Sequence, residues 1–535
     1  MIVRTLVLAA TLAVAGTVSA QDTPSPALPL TLDEAVRRAV AHNPDLTIVR
    51  LSTEVDAAHV GESLTAYTPL LSSVFGRSSA VAPPSNFLLG DGGIDTRDWF
   101  SSVGVRQRVP WGNGTWSVSW DAARTTSNSL LTSFDPAVQS GVQVAFSQPL
   151  LKDRAIDTAR QQYLIAKRNE QSSELHFREA AVQTVAAVKQ AYWTLKALRA
   201  NVAVQQRSLE LAEELARQNE ARVRLGQAPA IDLVQVQAEV ADRREGLIRA
   251  KAAEDDAEDR LRRLIVDPAD RGLWTQRLDP VDDPAGRVPL PDVDAAVAKA
   301  LDARYDIARA RNEVGIAATT VEYLSNQMLP DVRVEASYRG SGLGGSQLLR
   351  TGGFPGSITG RVDSGFGDVL GQAFGRDYPT WSLGVTVSRP IGRSFEQVSA
   401  VRASVERRQA DARVASLQLD VAQTIRQAAR QLRSTSERED AARAGASLAE
   451  QRFDAEQRRY AVGLSTSFLV TQAQRDLLQA QVNLLQATLD YQSSLVSFES
   501  LQLAPAIESG ADIGVHGSAV VALPAVAPRG VFKVQ

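Results

Sequence analysis

Apolar residues recur at alternating three- and four-residue steps along two long segments of the chain. The first segment passes through Phe177, Ala181, Thr184, Val188, Ala191, Leu195, Leu198, Val202, Gln205, Leu209, Ala212, Ala216, Asn219 and Val223. Eleven of these fourteen positions are apolar, and their mean step of about 3.5 residues is that of a coiled-coil seam. The second segment follows at an offset of 237 residues, through Val421, Ile425, Ala428, Leu432, Thr435, Glu439, Ala442, Ala446, Ala449, Phe453, Glu456 and Tyr460. The pattern predicts two long helices with alanine-rich seams. Small seam residues let helices approach closely, which favours a broad multi-helix cylinder over a plain antiparallel coiled coil. Periodicity alone leaves both architectures open.

Each long helix is followed by a break and then by another seam. The breaks are the segments LGQAP at 225–229 and VGLST at 462–466, and the seams that follow them begin at Leu233 and Val470. Both breaks contain a glycine, and a glycine followed by a new apolar pattern indicates a turn between two helices. Each copy is therefore predicted to contain a helical hairpin, with its tip at about 225–230 or 462–467.

A shorter helical segment is also repeated. Residues 31–69 match residues 292–330 at an offset of 261, and each copy ends at a proline that begins an extended stretch. The chain is therefore predicted to contain a duplicated helix–strand–strand–helix unit, spanning 21–290 and 291–503 and followed by a poorly ordered tail at 504–535.

Between the helices of each copy the hydrophobic pattern changes to a period of two. Strands are predicted at about 70–80, 138–148, 331–339 and 380–389. Segments of about ten residues with one apolar face are typical of transmembrane β-barrels. An extra hairpin is predicted at about 100–122, and its place inside or outside a barrel stays open. One chain supplies four or at most six strands, whereas a closed membrane barrel needs at least about eight, so we expect the chain to oligomerise.

The first twenty residues have the pattern of a secretory signal peptide. Arg4 precedes an apolar stretch at 6–18, and Val18, Ser19 and Ala20 form a small-residue cleavage site. We expect the mature chain to begin at Gln21, and an uncleaved anchor is the less favoured alternative. Beyond residue 20 no run of 18 apolar residues occurs. An exported chain of this kind is either soluble or crosses a membrane as a closed barrel.

Composition excludes several classes of function. The 535 residues carry a net charge of −3, which argues against a nucleic-acid partner bound by a basic face. The chain has no cysteine, so disulfides, thiolate metal sites and cysteine nucleophiles are excluded. Its four histidines lie far apart in sequence, and no catalytic set or cofactor motif is found, so we expect neither an enzyme nor a bound metal or cofactor. The glycine-rich run at 340–345 is predicted to be a flexible external loop.

Three motifs carry a resemblance to a known family. They are LTLDEAVRRAVAHNP at 30–44, FSQPLL at 146–151 and VGLSTSFLVTQAQRDLLQAQ at 462–481. Together with the signal peptide and the duplicated unit, they resemble the TolC family of outer-membrane efflux proteins over residues 30–503. The resemblance implies a mainly α fold that includes a membrane β-barrel. It implies a homotrimer with four strands per chain, which form a twelve-stranded barrel among the lipids of a Gram-negative outer membrane. A long α-helical barrel would then extend into the periplasm.

The resemblance also implies partners and roles for the two turns. In the family, a periplasmic adaptor (membrane fusion protein) meets the helix tips and connects the channel to an inner-membrane pump of the RND, ABC or MFS type. The residues that correspond to these docking turns are Leu225, Gly226, Val462, Gly463, Leu464, Ser465 and Thr466. The implied function is the exit duct of a tripartite efflux or type I secretion system. The alternative from a different class is a periplasmic coiled-coil scaffold without transport activity, which would have no use for the predicted strands.

The entrance constriction is where the chain departs from the family pattern. In TolC, acidic residues lie six and nine positions after the second-copy glycine, but Leu469 and Gln472 occupy these positions here. In the first copy, Asp232 matches an acid of the family pattern and Gln235 does not. An acidic ring is therefore at best partly present. Asp232 is equally well interpreted as a first-turn or capping acid of its helix.

Overall fold

The computed structural model describes residues 27–502 except 84–92, 228, 268, 271, 273, 275, 285, 287–288, 290 and 354–355. The predicted signal peptide (1–20) and tail (504–535) lie outside the described residues. The chain divides into two compact units. The first, the helical unit, contains the segment up to Pro44, Val182–Pro291 and the segment from Ala428. The second, the sheet unit, contains Asp45–Ala181 and Asp292–Gln427.

Nine strands and nine α-helices make up the described part of the chain. In chain order they are β1 (Leu28–Leu30), α1 (Leu32–His42), α2 (Pro44–Leu64), β2 (Leu70–Ala82), β3 (Ile94–Arg108), β4 (Thr115–Ser127), β5 (Phe134–Pro149), α3 (Thr158–Arg224), α4 (Ala230–Ile265), β6 (Leu278–Pro280), α5 (Val293–Ala303), α6 (Tyr305–Gln327), β7 (Asp331–Thr351), β8 (Ser357–Ser364), α7 (Phe366–Gly375), β9 (Pro379–Ser388), α8 (Phe395–Ala461) and α9 (Ser467–Leu501). Among these described residues, no helix is both long enough and apolar enough to cross a membrane.

The first helical segment of each copy is two helices rather than one. Helix α1 ends at His42. The extended residue Asn43 follows, with its side-chain amide donating to Leu264 O at 3.2 Å, and α2 begins at Pro44. Proline disfavours helical geometry in the residue before it, which accounts for this break. The second copy breaks at the extended residue Arg304, between α5 and α6. Apolar periodicity continues across both breaks, so it does not reveal them.

The two longest helices, α3 and α8, each contain 67 residues. At about 1.5 Å per residue this is about 100 Å of helix. Helix α3 begins at Thr158, and the preceding residue, Asp157, caps it. The Asp157 carboxylate accepts a hydrogen bond from Arg160 N at 3.2 Å, and its carbonyl accepts one from Gln161 N at 2.9 Å. This is the geometry of an N-cap.

The core of the helical unit surrounds the short parallel pair β1–β6. Leu30, Leu278 and Leu261 are fully buried there, together with Tyr192 from α3. The Tyr192 hydroxyl lies 3.0 Å from Leu30 O, and it accepts a hydrogen bond from Asp282 N, also at 3.0 Å. Burial raises the pKa of this hydroxyl. The buried hydroxyl thus connects α3 to both sides of the strand pair.

The sheet unit contains one antiparallel sheet of seven strands. Its order is β2, β3, β4, β5, β7, and then β8 and β9, which both pair with β7 on the edge that faces away from β5. The sequence predicted four or at most six strands, and β8 is the additional one. Strand β9 pairs with Asp331–Gly340 of β7 and β8 pairs with Gly345–Thr351, so no level of the sheet is more than six strands wide. The hairpin β3–β4 is a continuous part of this sheet, between β2 and β5.

The glycine-rich run at 340–345 is not an external loop, so that prediction was wrong. It lies inside β7, where helix α7 packs directly on the sheet. A Cβ atom added to Gly340 or Gly342 would lie 2.2 Å from Ala373 O or 2.0 Å from Val369 O. Only glycine permits this close approach of helix to strand. The run marks a packing site, which the sequence pattern does not distinguish from a loop.

The two faces of the sheet differ in chemistry. Directly paired residues in antiparallel strands share a face, so the registers assign every side chain to one of two faces. One, here called the apolar sheet face, carries exposed side chains from β2 to β9: Leu71, Phe75, Trp99, Val118, Val144, Phe146, Tyr338, Trp381, Leu383, Val385 and Val387. The other, the polar sheet face, carries Arg106, Asp121, Gln139, Gln143, Arg333, Glu335 and Arg339. On this face Arg339 pairs with Asp121 at 2.7 Å.

Candidate functional site

Both helical hairpins turn through the same hydrogen-bond motif. At the end of α3, Gly226 N donates to Val223 O at 3.0 Å and Gln227 N donates to Arg222 O at 2.8 Å. The equivalent bonds after α8, from Gly463 N and Leu464 N to the carbonyls of Tyr460 and Arg459, are 3.1 and 2.8 Å long. This pair of bonds defines a Schellman C-cap, which requires a left-handed residue after the helix.

The left-handed residue is glycine in both turns. Gly226 has φ of 71° and Gly463 has φ of 80°. A Cβ atom added at either position would meet nothing within 4 Å. The space around both glycines is therefore open, and the requirement for glycine comes from backbone conformation alone.

The helices that follow the turns begin close to one another. Thr466 caps α9, where its hydroxyl accepts a hydrogen bond from Leu469 N at 3.4 Å. Asp232 lies in the first turn of α4, and its Oδ2 accepts a hydrogen bond from the buried Ser467 Oγ at 3.5 Å. The N-cap of α4 is Pro229, so Asp232 is a first-turn acid and not the cap.

Exposed apolar side chains surround the two turns. Leu225, Val462 and Leu464 are 72, 70 and 72% exposed in the single chain. With their exposed neighbours they form what we call the tip apolar cluster: Leu225, Ile231, Val234, Val462, Leu464, Phe468 and Leu469. Contiguous exposed apolar surface with a polar surround is typical of a protein interaction site.

Directly behind the turns, the four helices share a small core. Leu215, Val236, Phe453 and Val470 come one from each of α3, α4, α8 and α9. The buried Tyr460 hydroxyl donates to Asn219 Oδ1 at 3.1 Å, and Asn219 in turn donates to Leu215 O at 2.9 Å. Asn219, a polar position in the predicted seam, thus has a defined partner on the facing helix.

The other candidate entrance residues do not form an acidic ring in the single chain. Gln235 is exposed on α4, and Leu469 is partly exposed on α9. Gln472 donates to Asp476 Oδ1 at 2.8 Å, and the other oxygen of Asp476 accepts from Arg452 at 2.9 Å. Thus, of the four positions in the family pattern, only Asp232 carries a negative charge.

A charged contact that sequence reasoning missed connects α4 and α9. Glu239 on α4 is only 2% exposed, and both Arg243 and Arg475 pair with its carboxylate. Arg475 Nε donates to Glu239 Oε2 at 2.9 Å, which holds the pKa of Arg475 above its ordinary value. Glu239 and Arg475 are 236 residues apart in the chain, so helical periodicity gives no signal for the pair. In the part of the chain that the structure describes, no cluster of three or more His, Asp and Glu side chains is arranged to bind a metal ion.

Comparison with protein families identifies this architecture. The model of the outer membrane efflux protein family matches residues 110–265 and 296–501, which is more than half of the chain. The chain belongs to this family. The membership confirms the resemblance inferred from the motifs, and it makes the protein an outer-membrane conduit rather than an enzyme or a periplasmic scaffold.

Solved structures show the same fold at low sequence identity. The CmeC outer membrane channel of Campylobacter jejuni is 15% identical, with 93% of each chain covered and a TM-score of 0.63. The outer membrane protein VceC of Vibrio cholerae is 15% identical, covering 88% of this chain and 95% of its own, with a TM-score of 0.61. The MtrE outer membrane channel of Neisseria gonorrhoeae, in its open state, is 16% identical, with 88% of each chain covered and a TM-score of 0.59. The search of curated proteins returned no match.

Proposed function

We propose that the protein is a trimeric exit duct of a tripartite efflux or type I secretion system. The observation that carries this proposal is the division of the sheet into apolar and polar faces. In a membrane barrel the apolar face meets lipid and the polar face lines a water-filled lumen. Exposed side chains such as Phe75 and Trp381 would contact acyl chains, and ion pairs such as Arg339–Asp121 would lie in the lumen. Transport through such a duct is passive, and a pump supplies the energy.

The tip apolar cluster is the proposed docking site for a periplasmic adaptor. Both turns present leucine or valine side chains beside an open glycine backbone. An adaptor with an apolar surface would bury these side chains and gain about 25 cal/mol for each Å² of apolar area removed from water. Through the adaptor, the helical barrel in the periplasm would connect to an inner-membrane pump of the RND, ABC or MFS type.

Opening of the duct would be a two-state rearrangement of the α3–α4 and α8–α9 hairpins. Polar contacts that join these hairpins near the tips include the Ser467–Asp232 hydrogen bond, the Arg475–Glu239 ion pair and the Tyr460–Asn219 hydrogen bond. An adaptor favours the open state only by the difference in its affinity for the two states. The surface to which the adaptor docks therefore has to change shape when the contacts between the hairpins separate. This is possible because the turns connect directly to the helices that carry these contacts.

The docking proposal is tested with the double variant Gly226→Val and Gly463→Val. A β-branched residue at positive φ costs about 1–2 kcal/mol at each turn and reshapes the apolar cluster. We expect loss of efflux in a strain that lacks its own duct, with the trimer retained in the outer membrane. Gly226→Asn with Gly463→Asn is the matched control, because asparagine tolerates the left-handed conformation and should retain efflux. Wild-type efflux in the valine double variant would exclude these turns as the docking site.

A further inference from the structure

The two edges of the sheet are left open in the single chain. Strand β2 pairs only with β3, and β9 pairs only with β7. The open edge of β2 is 13 residues long and that of β9 is 10. About half of the residues along an open edge point their backbone N–H and C=O groups outward. Within a bilayer each such unpaired group costs several kcal/mol, so both edges require partners.

Neither β2 nor β9 carries the features that normally prevent pairing, whereas β8, which continues the second edge, contains Arg361 and Asp363. Exposed edge strands are usually protected by charged residues or bulges. Strand β9 has no charged residue, and β2 has only Arg77, which packs over the Trp99 ring of β3 at 5.1 Å. Their side chains on the apolar sheet face are exposed over the full length of both strands. The two strands are therefore suited to pairing within a membrane.

We infer that β2 of one subunit pairs with β9 of the next and closes a trimeric barrel of eighteen strands. This inference rests on the trimeric duct proposed above, but it departs from the four strands per chain implied by the family resemblance. Each chain contributes six strand positions to the barrel. Because six is even, the first strand, β2, and the last strand, β9, run in opposite directions, and every junction between subunits is antiparallel. A β2–β2 pairing would instead point the helices of two subunits to opposite sides of the membrane.

The strand registers step as a tilted barrel requires. On the side of the sheet where β2 begins, the two strands of the β3–β4 pair end at the same level, and so do those of the β7–β9 pair. In each of the other three pairs one strand extends two residues beyond its neighbour, always in the same direction across the sheet. The stepped pairs are Leu70 with Arg106, Thr115 with Ser147 and Pro149 with Arg333. A total step of about six residues over about five strand spacings corresponds to a tilt of about 40°, with a rise of about 3.3 Å and a spacing of about 4.8 Å. Membrane barrels tilt by about 35–45°.

The strand count determines the width of the duct. At this tilt and spacing, eighteen strands enclose a cylinder about 36 Å in backbone diameter, against about 24 Å for twelve. The hairpin β3–β4 thus more than doubles the cross-sectional area, because it adds two strands from each subunit. The barrel would admit bulky cargo, and the helical part of the duct would set any narrower limit.

Electron cryomicroscopy of the full-length protein in lipid nanodiscs tests the strand count. The expected result is a three-fold particle whose barrel shows eighteen strands and a backbone diameter of about 36 Å. A three-fold particle with twelve strands and the β3–β4 hairpin outside the barrel would overturn the inference and leave the duct intact. A soluble monomer would overturn both.

Paired cysteines test the partner strand, and the absence of native cysteine removes background cross-linking. Ser72→Cys on β2 is combined in turn with Ser388→Cys, Thr386→Cys and Gly384→Cys on β9, all on the face opposite to the apolar one. Oxidation in isolated outer membranes is expected to give covalent trimers for at least one register. Ser73→Cys, on the opposite face of β2, is the matched control and should give none. Failure of all three combinations would exclude pairing between β2 and β9.

Discussion

The hydrogen bond between Tyr460 and Asn219 gives a quantitative test of the tip structure. Both side chains are buried, at 4 and 1% exposure, and they join α8 to α3 close to the two turns. Tyr460→Phe removes the hydroxyl donor but retains the ring, over which the Arg222 guanidinium stacks at 4.1 Å. The Asn219 carbonyl oxygen then stays buried without this donor. Leaving a buried acceptor unpaired costs about 1–3 kcal/mol, which is roughly a 5- to 150-fold increase in local opening.

Hydrogen exchange of the purified trimer, read by mass spectrometry, measures this change. We expect faster exchange in peptides that cover 215–224 and 453–461, and unchanged exchange around β1 and β6. The control is Tyr323→Phe, because the Tyr323 hydroxyl pairs at an exposed site with Thr158 and water can replace it. The double variant Tyr460→Phe with Asn219→Leu removes both polar partners and should recover part of the protection. Equal exchange in Tyr460→Phe and wild type, or a double variant less protected than the single one, would refute the reasoning.

Three further predictions concern the buried ion pair, the glycine run and acid stability. Glu239→Ala leaves the buried Arg243 without its carboxylate and should lower the free energy of unfolding by about 3–5 kcal/mol. Arg475→Ala removes a more exposed partner and should lower it by about 1 kcal/mol or less. The half-lives of the two heated trimers measure this difference. Gly342→Ala should lift α7 from the sheet and expose it to protease in the purified trimer, whereas Gly371→Ala, with open space around its Cβ, should leave α7 protected. Burial raises the pKa of Asp306, but its hydrogen-bonded ion pair with Arg304 lowers it by more, so the net shift of the pKa is downward. The ion pair thus stabilises the fold fully above the ordinary pKa of an aspartate, about 4, and this stabilisation is lost as pH falls through the lowered pKa of Asp306. Thermal inactivation of Asp306→Asn should therefore vary less with pH in this range than that of the wild type.

Helices and turns could be predicted from the sequence because their signals are local. A seam with a period of 3.5 residues identifies a long helix wherever its partner lies. A glycine that ends such a seam indicates a left-handed cap, and both Gly226 and Gly463 have positive φ. The backbone alone produces these features, so no distant contact is needed to recognise them.

Features that depend on distant contacts could not be predicted. Gly342 is required by the carbonyl of a helix that begins more than twenty residues later, and a flexible loop has the same composition. The partner of Glu239 lies on α9, so a carboxylate in a helical pattern gave no indication that it is buried and paired. Strand β8 has only eight residues, and only Ile358 and Val362 mark its apolar positions, so its alternation is too short to be recognised as a strand from the sequence.

The equal length of α3 and α8 constrains how the chain can change. Each helix has 67 residues, and each turn follows directly after its last residue. One inserted residue would rotate a turn by about 100° about its helix axis and shift it by about 1.5 Å. The Schellman bonds would survive, but the apolar side chains of that turn would point in a new direction. Insertions or deletions in these helices are therefore expected in multiples of seven residues, and in both helices together.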